Sequence, residues 1–600
     1  MKNNNIVKNY FRILKIIAHE NKKFLFASVL LVISSSAYPF INIFLLKYLL
    51  EAIERKTSLE DFIIFAIVAV SINLAITGIK IISDRYEKLY AKVQMIPMTR
   101  RFITQSIKMD YQNMENEQVI QEMNRASYVL LNKINLEQYL EAANLILISF
   151  IQLIITIVIL VNTNILIFML VLLVSILNNV INFATQKKNY IVHKGIVPIE
   201  RRWRYIIDMT TDISFGKTVR LHSLKDYFLK KGEENRGEFI SLHGKRLKNI
   251  FHADMIKGII SLLQELGVFI WLVYAVIYKG LLISSFTVIF NSASQMNASF
   301  VTLAENIYLL AENNNYMNDF FHFLDRKSQL RSTGSLSVNE LKQTGCIEFR
   351  NVSFTYPGST RVILKDINLK ITPGESITVI GENGAGKTTL VKLLMRLYDV
   401  TSGEILYDNV NIKEYDYDEY MKVLATIFQD YRIFAFSIYE NICLHEDYQN
   451  DVFHMDEILE DNNMLQKVKS LKHGGEMILS KLFDESGIEL SGGQMQKIAL
   501  CRAIYKDAPV IILDEPTASL SPLAEAELYK DFHRLVKNKT AIYISHRLSS
   551  STISDKICVL HNGEIIEYGS HKQLMELNGE YKKMYELQSR YYQDQLEESE

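Results

Sequence analysis

Long apolar stretches lie almost wholly before about residue 312, and beyond that point the composition is that of a soluble protein. A membrane-spanning helix needs about 20 mainly apolar residues. Stretches of that kind fall at roughly 24–50, 62–83, 142–162, 164–184, 256–278 and 281–311. The third and fourth are the clearest, because Leu145–Val161 and Ile165–Ile176 are nearly uninterrupted and only Asn162–Asn164 separates them. The sixth is the weakest, broken by Asn291, Gln295 and Asn297. These runs are too long and too uniformly apolar for core helices of a soluble protein.

The polar intervals orient the spans. Segment 84–141 carries Arg85, Lys88, Lys92, Arg100, Arg101 and Lys108, and segment 185–254 carries Lys187, Lys188, Arg201, Arg202 and Arg204 among others. The opposite side has Asn162–Asn164, a Lys279–Gly280 turn and a mixed-charge loop near Arg55–Asp61. The positive-inside bias places both termini in the cytoplasm. Both basic segments are poor in Pro and Gly and keep heptad-like apolar spacing, so they read as helices continuing out of the membrane. Ahead of the first span, Ile6, Val7, Tyr10, Phe11, Leu14 and Ile17 share one side of a helical wheel with Lys8, Arg12 and Lys15 off it. That pattern suits a helix lying on a membrane surface, and a soluble amphipathic helix is the alternative. Residues 1–23 are polar and basic, and the apolar run after them is too long for a signal-peptide core.

Composition adds mainly exclusions. The net charge is -1 with 22% charged residues, which offers no electrostatic footprint for nucleic acid. The four cysteines, Cys346, Cys443, Cys501 and Cys558, show neither a CxxC pair nor metal-ligand spacing and read as reduced structural thiols. Polar groups inside spans are costly. Glu265 with Gln264, and Glu305 with Asn306, therefore read either as contacts for a cationic substrate or as interhelical hydrogen-bonding residues. Lys47 reads as a snorkelling side chain.

The soluble half carries the chemistry. Gly381, Glu382, Asn383, Gly384, Ala385, Gly386, Lys387 and Thr388 fit G-x-x-x-x-G-K-[ST], with the β-like run Ser376–Ile380 before them and helical spacing over Thr388–Leu397 behind, including Thr389. Glycines let backbone N–H groups face phosphate oxygens at a helix N-terminus, Lys387 neutralises β/γ oxygens, and the Thr388 hydroxyl can ligate Mg²⁺. Val510–Asp514 reads as a buried strand ending in Asp514 and Glu515. Asp514 suits Mg²⁺, and Glu515 suits a base that polarises the attacking water.

Leu490 with Ser491, Gly492, Gly493 and Gln494 is the signature of ABC transporter cassettes, and the soluble half resembles that family throughout. The resemblance implies that Tyr356 stacks on adenine, that Gln429 links Mg²⁺ to the membrane domain, and that His546, after the strand Ala541–Ser545, contacts the γ-phosphate. It also implies that Ser491–Gln494 close on the ATP of a second cassette. A single chain is then a half-transporter that works as a homodimer or with a related half-transporter. The fold class expected is an α-helical polytopic membrane domain of six transmembrane helices with long cytoplasmic extensions, plus an α/β P-loop NTPase cassette. Expected bounds are 1–23 for the N-terminal helix, 24–320 for the membrane domain, 321–345 for a linker, 346–585 for the cassette and 586–600 for an acidic tail.

The layout resembles the exporter class, which implies coupling helices near Tyr111–Glu115 and Thr211–Lys217 and a role for Glu485 in the connecting loop. Leu490–Leu500, Phe428–Tyr431 and Asp212–Leu221 look most like bacterial lantibiotic (nisin-type) peptide exporters. No cysteine precedes Cys346, so leader cleavage by this chain is not expected. The expectation is ATP-driven, Mg²⁺-dependent export of a peptide across the cytoplasmic membrane. The alternatives are a lipid or multidrug exporter, and an ATP-gated regulatory protein that does not pump. Ser521 stands where the family usually has Asp in the D-loop, which implies looser communication between the two nucleotide sites.

Overall fold

The computed structural model describes residues 6–587 apart from 94, 132, 333, 339–344, 483, 515–531, 533–535, 537–538 and 546–553. The chain divides into two compact units: Met1–Gln105 with Gln121–Asp325, and Ser106–Ile120 with Arg326–Glu600.

Eleven helices precede residue 326 among the described residues: α1 (Ile6–Glu20), α2 (Lys22–Glu54), α3 (Leu59–Val93), α4 (Met95–Lys108), α5 (Tyr111–Met114), α6 (Glu117–Leu131), α7 (Lys133–Thr163), α8 (Ile165–Thr211), α9 (Ile213–Leu221), α10 (Lys225–Lys279) and α11 (Ile283–Asp325). Among the described residues, five helical stretches are long and apolar enough to cross a membrane: α2, the run Leu59–Lys108, Leu136–Thr163, α8 and α10. The sixth expected span lies in α11, which is 43 residues long but is not among those five. Its Asn291, Gln295 and Asn297 dilute the apolar run. Helices α8 and α10 have 47 and 55 residues, far beyond the length a span requires.

Side chains set the helix ends. Asn164 caps α8 by accepting hydrogen bonds from the N–H groups of Leu166 (2.9 Å) and Ile167 (3.2 Å), so α7 and α8 are joined by a single residue. Gly280 closes α10 at φ +64°, a left-handed conformation that suits glycine. The Glu54 carboxylate accepts from the Ile283 N–H at 2.7 Å and the Ser284 hydroxyl at 3.0 Å, placing negative charge at the start of α11.

Helix α1 packs through Asn9, Ile13, Ile16 and Ile17, while Val7 and Phe11 stay exposed. The buried face is thus rotated from the all-apolar stripe read in the sequence, because Asn9 finds polar partners. Its amide donates to Asn314 Oδ1 (3.0 Å) and Asn318 Oδ1 (2.7 Å) on α11. Arg12 makes a two-pronged pair with Asp325 at 2.8 and 2.7 Å.

Pro39 lies inside α2 and lacks an N–H, which leaves the Ser35 carbonyl without its helical donor. Gln152 Nε2 on α7 donates to that carbonyl at 3.1 Å, and Gln152 Oε1 accepts from Gln295 Nε2 and Ser299 Oγ on α11, both at 3.2 Å. One buried amide therefore ties three helices through a gap made by one proline.

The second unit contains strands β1 (Ile347–Thr355), β2 (Val362–Ile371), β3 (Ser376–Ile380), β4 (Ser402–Tyr407), β5 (Val410–Asn411), β6 (Leu424–Ile427), β7 (Val510–Asp514), β8 (Thr540–Ile544), β9 (Lys556–His561) and β10 (Glu564–Gly569). Its helices include α12 (Lys387–Leu394), α13 (Tyr417–Lys422), α14 (Ile438–Cys443), α15 (Val452–Asp461), α16 (Leu465–Lys469), α17 (Gly492–Lys506) and α18 (His571–Leu577). An antiparallel sheet runs β2-β1-β4-β5, and a six-stranded sheet runs β10-β9-β3-β8-β7-β6. Within the latter, β9, β3, β8, β7 and β6 pair in parallel and only β10 is antiparallel. Every residue of β7 and β8 is buried, as a parallel strand covered on both faces requires. Cys443, Cys501 and Cys558 are buried and form no disulfide, and burial pushes the Cys558 thiol up to about 12, so it packs as an apolar group. These parts give the fold class expected from the sequence: a polytopic helical membrane domain fused to an α/β P-loop NTPase.

Replacing Gln152 by Leu leaves the Ser35 carbonyl unsatisfied and is expected to cost about 1–3 kcal/mol. Adding Pro39→Ala restores the helical donor, so the double variant should regain the part of the loss that belongs to this carbonyl, and not the part that belongs to Gln295 and Ser299, in thermal unfolding of the purified chain. A double variant no more stable than Gln152→Leu alone would show that this carbonyl is not what Gln152 serves.

Candidate nucleotide site

The parallel register gathers the site. Val379 of β3 pairs with Ile544 of β8, Asp514 of β7 pairs with the same Ile544, and Ile427 of β6 pairs with Leu513. The C-terminal ends of four strands therefore lie level. From that edge emerge the loop 381–386 after β3, Asp514 at the end of β7, Ser545 after β8 and Gln429 after β6. Ligands of open parallel sheets bind at that edge.

The loop backbone is shaped by glycines. Gly381 has φ +154°, and a Cβ there would stand 2.1 Å from the Leu560 carbonyl oxygen. Gly386 has φ +109°, and its Cβ would stand 2.7 Å from Leu364 Cδ2. Neither position has room for a side chain. Helix α12 begins at Lys387, so its first N–H groups face outward from the loop without helical partners. Lys387 is buried, and its ammonium donates to the carbonyls of Gly381 (2.8 Å) and Glu382 (3.0 Å), which folds the loop around the amine. Glu382, Asn383, Gly384 and Thr388 are exposed along the rim of this cradle, while Ala385 and Thr389 are buried. An exposed hydroxyl at Thr388, the carboxylate of Asp514 and the amide oxygen of Gln429 are hard oxygen donors, the kind Mg²⁺ takes.

Tyr356 follows β1. Its hydroxyl shares a 2.9 Å hydrogen bond with Thr389, which fixes the tyrosine to the first turn behind the loop. Its ring meets Phe354 and Tyr398 edge-on at 4.9 and 5.2 Å. The signature residues lie at the start of α17. Ser491 Oγ accepts from the Gln494 N–H at 3.4 Å, and Gln494 Oε1 accepts from the Ser491 N–H at 3.0 Å, a reciprocal capping box. Gly492 and Gly493 occupy the intervening first turn, where outward-facing N–H groups favour an anion. Glu485 is exposed in the turn before them. Glu515, His546 and Ser521 lie outside the described residues.

Two contacts escaped the sequence reading. The Tyr431 hydroxyl, two residues beyond Gln429, donates to the Gly492 carbonyl at 2.9 Å, so the loop after β6 touches the signature turn directly. The second is a cluster around α5. Glu115 accepts from Lys392 at 2.9 Å and from the Tyr398 hydroxyl, while the Lys392 amine sits 5.4–5.9 Å from the ring centres of Tyr111, Tyr356 and Tyr398. Burial works to raise the Glu115 carboxyl, but hydrogen bonds from Tyr398 and Lys392 outweigh it and hold the group below its usual range. Asp110, just before the same segment, ties it to residues 328–330, accepting from the Gln329 N–H at 2.7 Å and from the Ser328 hydroxyl. The first expected coupling segment, Tyr111–Glu115, is thus bound to the helix that follows the phosphate loop. The second, 211–217, runs from the last residue of α8 into α9, where Ile213 and Leu221 are 93% and 82% exposed. Nothing local marks Lys392 or Tyr398, because their partner lies 277 and 283 residues away.

The polar span residues divide differently from the sequence reading. Gln264 and Asn306 are buried, whereas Glu265 and Glu305 are exposed on the chain.

The ABC transporter family profile matches residues 364–518. The subtilin transport ATP-binding protein of Bacillus subtilis is 34% identical over 466 residues, covering 75% of this chain and 73% of that protein. The nisin transport ATP-binding protein of Lactococcus lactis subsp. lactis is 30% identical over 496 residues, covering 80% and 78%. The ATP-dependent lipid A-core flippase of Escherichia coli K12 is 35% identical over 247 residues, covering 41% and 42%. Among solved structures, a bacterial Atm1-family ABC exporter with ATP bound superposes with a TM-score of 0.79 at 20% identity, covering 94% of this chain and 98% of that one.

An alanine at Gly386 would be held at a backbone angle costing about 1–3 kcal/mol and would press on Leu364. ATP binding by the Gly386→Ala chain should weaken about tenfold or more, one decade per about 1.4 kcal/mol. Unchanged affinity in a calorimetric titration would contradict the tight fit of this loop. Level strand ends, a phosphate loop, a capped signature helix and membrane-length helices occur here in one chain matched along three quarters of its length, and the chain belongs to the ABC transporter family, as an exporter-type ATPase with fused membrane and cassette domains.

Proposed function

We propose that this exporter carries a nisin-type peptide and works as a homodimer with two Mg-ATP sites. One observation supports the peptide reading most. The matches to the subtilin and nisin transport proteins extend over 466 and 496 residues, more than residues 346–585 can hold, so they run into the membrane domain. The matches to lipid A-core flippases span 247–368 residues. Substrate choice resides in the membrane domain, and a lipid substrate is the second reading.

Each residue then has a role. The loop 381–386 and the first turn of α12, through Thr389, hold phosphate oxygens, and Lys387 exchanges its carbonyl partners for them. Tyr356 presents its ring to adenine. Thr388, Gln429 and Asp514 hold Mg²⁺, which would neutralise the β/γ oxygens. Glu515 orients the attacking water and His546 meets the γ-phosphate. Ser491–Gln494 would face the nucleotide of the second copy. Two open surfaces support a second copy: exposed Ile213 and Leu221 on α9, and an apolar cavity of about 610 Å³ in the cassette bordered by Phe428 and Leu444. Export follows if ATP-driven closure of two cassettes favours the outward-open membrane domain and hydrolysis resets it. Both termini face the cytoplasm in this arrangement.

In reconstituted vesicles, the Glu515→Gln chain should bind ATP and remain dimeric while hydrolysis and transport fall at least a hundredfold, on the order of 3 kcal/mol of barrier. Brisk transport by that variant would remove Glu515 from its role. Lanthionine-containing peptides should stimulate the wild-type ATPase. Stimulation by lipids alone would replace the peptide reading with the lipid one.

A further inference from the structure

The membrane domain encloses a cavity of about 340 Å³ between α2, α3, α7 and α11. It lies beside Pro39 and at the end of α3 that the loop charges assign to the cytoplasm. Its volume is at the low end of ligand pockets, about 300–1,000 Å³, enough for a head group with a short aliphatic stem and too small for a folded peptide. Leu31, Ala91 and Ile148 supply apolar wall.

The charge around it is unbalanced. Four carboxyls line it (Asp84, Glu87, Glu137 and Glu141) against two amines, Lys80 and Lys88. Both amines already have partners: Lys88 pairs with Asp84 at 3.0 Å, and Lys80 lies 4.5 Å from the centre of the Tyr38 ring. Glu87 is 5% exposed, and its Oε1 accepts from the Asn144 amide at 2.7 Å. Its second oxygen has no donor among the described residues, and neither Glu87, Glu137 nor Glu141 forms an ion pair among them. A carboxylate buried in a helix bundle is costly when the amine that acts on it, here Lys88, is paired with another group. That cost falls if a cation enters the space beside it.

We propose that this cavity is a binding site for an ammonium group on an aliphatic stem, with the unpartnered oxygen of Glu87 as its principal acceptor. The ammonium meets Glu87 deep in the cavity, Glu137 and Glu141 add negative potential around it, and the stem lies on Leu31, Ala91 and Ile148. Two sources carry this chemistry: a lysine side chain of a peptide and the amine of an aminophospholipid. That the occupant is also cargo rests on the export reading above. The residues singled out from the sequence for a cationic substrate, Glu265 and Glu305, do not line this cavity.

The test uses the full chain in phosphatidylcholine nanodiscs with radiolabelled decylamine as the probe. Decylamine should bind saturably, and decanol and decanoate should not displace it. Glu87→Gln, which keeps an acceptor for Asn144, should weaken binding at least tenfold, while Glu265→Gln leaves it unchanged. Glu141→Lys changes an exposed lining position and should weaken decylamine to a similar degree without altering a buried group. Displacement by a Leu-Lys model peptide identifies a peptide amine, and reduced binding in discs containing phosphatidylethanolamine identifies a lipid amine. Binding of equal strength in wild type, Glu87→Gln and Glu141→Lys overturns the proposal, as does displacement by decanol or decanoate. ATP hydrolysis by wild type without amine, read in the same discs, tests the transporter reading separately, so a wrong site and an inactive cassette give different results.

Discussion

The in-line ending of parallel strands is the constraint on which the cassette depends. A parallel pair fixes which end of each strand meets which, and β6, β7, β8 and β3 are paired so that Ile427, Asp514, Ile544 and Ile380 finish at one edge. Residues separated by more than 150 positions in sequence become neighbours there with no further design. Burial drives that arrangement. Strands β7 and β8 are buried throughout and mainly apolar, and only a sheet covered on both faces satisfies them. Polar chemistry is then confined to the loops at the strand ends, where backbone N–H groups and a few side chains can converge on one anion.

The membrane domain obeys the complementary rule, that a polar group among apolar helices must find a partner. Pro39 opens a carbonyl in α2 and Gln152 closes it from α7. Asn9 and Arg12 fasten α1 to α11. Glu87 is satisfied in part, with one oxygen accepting from Asn144 and the other beside a cavity. A carboxylate oxygen left open beside a cavity places ligand chemistry where packing alone would have placed a leucine.

What was legible in the sequence was local and contiguous. The phosphate loop, the strand ending at Asp514 and the signature turn each sit within ten residues, and the forces that shape them act over that range. The capping box of Ser491 and Gln494 is likewise written in adjacent positions. Contacts that join distant segments left no local trace: Glu115 with Lys392 and Tyr398, Tyr431 with Gly492, Asn144 with Glu87. Apolar periodicity ranked the faces of α1 by hydrophobicity and so missed Asn9, whose burial depends on asparagines three hundred residues away. It also gave Glu265 and Gln264 equal weight, although neighbouring positions on a helix point about 100° apart and only Gln264 is buried. The antiparallel sheet β2-β1-β4-β5 was not read at all, because no motif marks its strands and its order is set by pairing between distant segments.

The central claim is that a working nucleotide site takes Lys387 from one chain and Ser491–Gln494 from another. It is tested most directly with two disabled chains, Lys387→Ala and Gly493→Asp, each in a Glu515→Gln background. Co-expressed with different tags and isolated as a mixed pair, they contain one site with both defects and one with neither, provided that the signature acts across chains. The account predicts that the mixed pair retains one ATP through gel filtration while each variant paired with itself retains none. Absence of retained ATP in the mixed pair would contradict it.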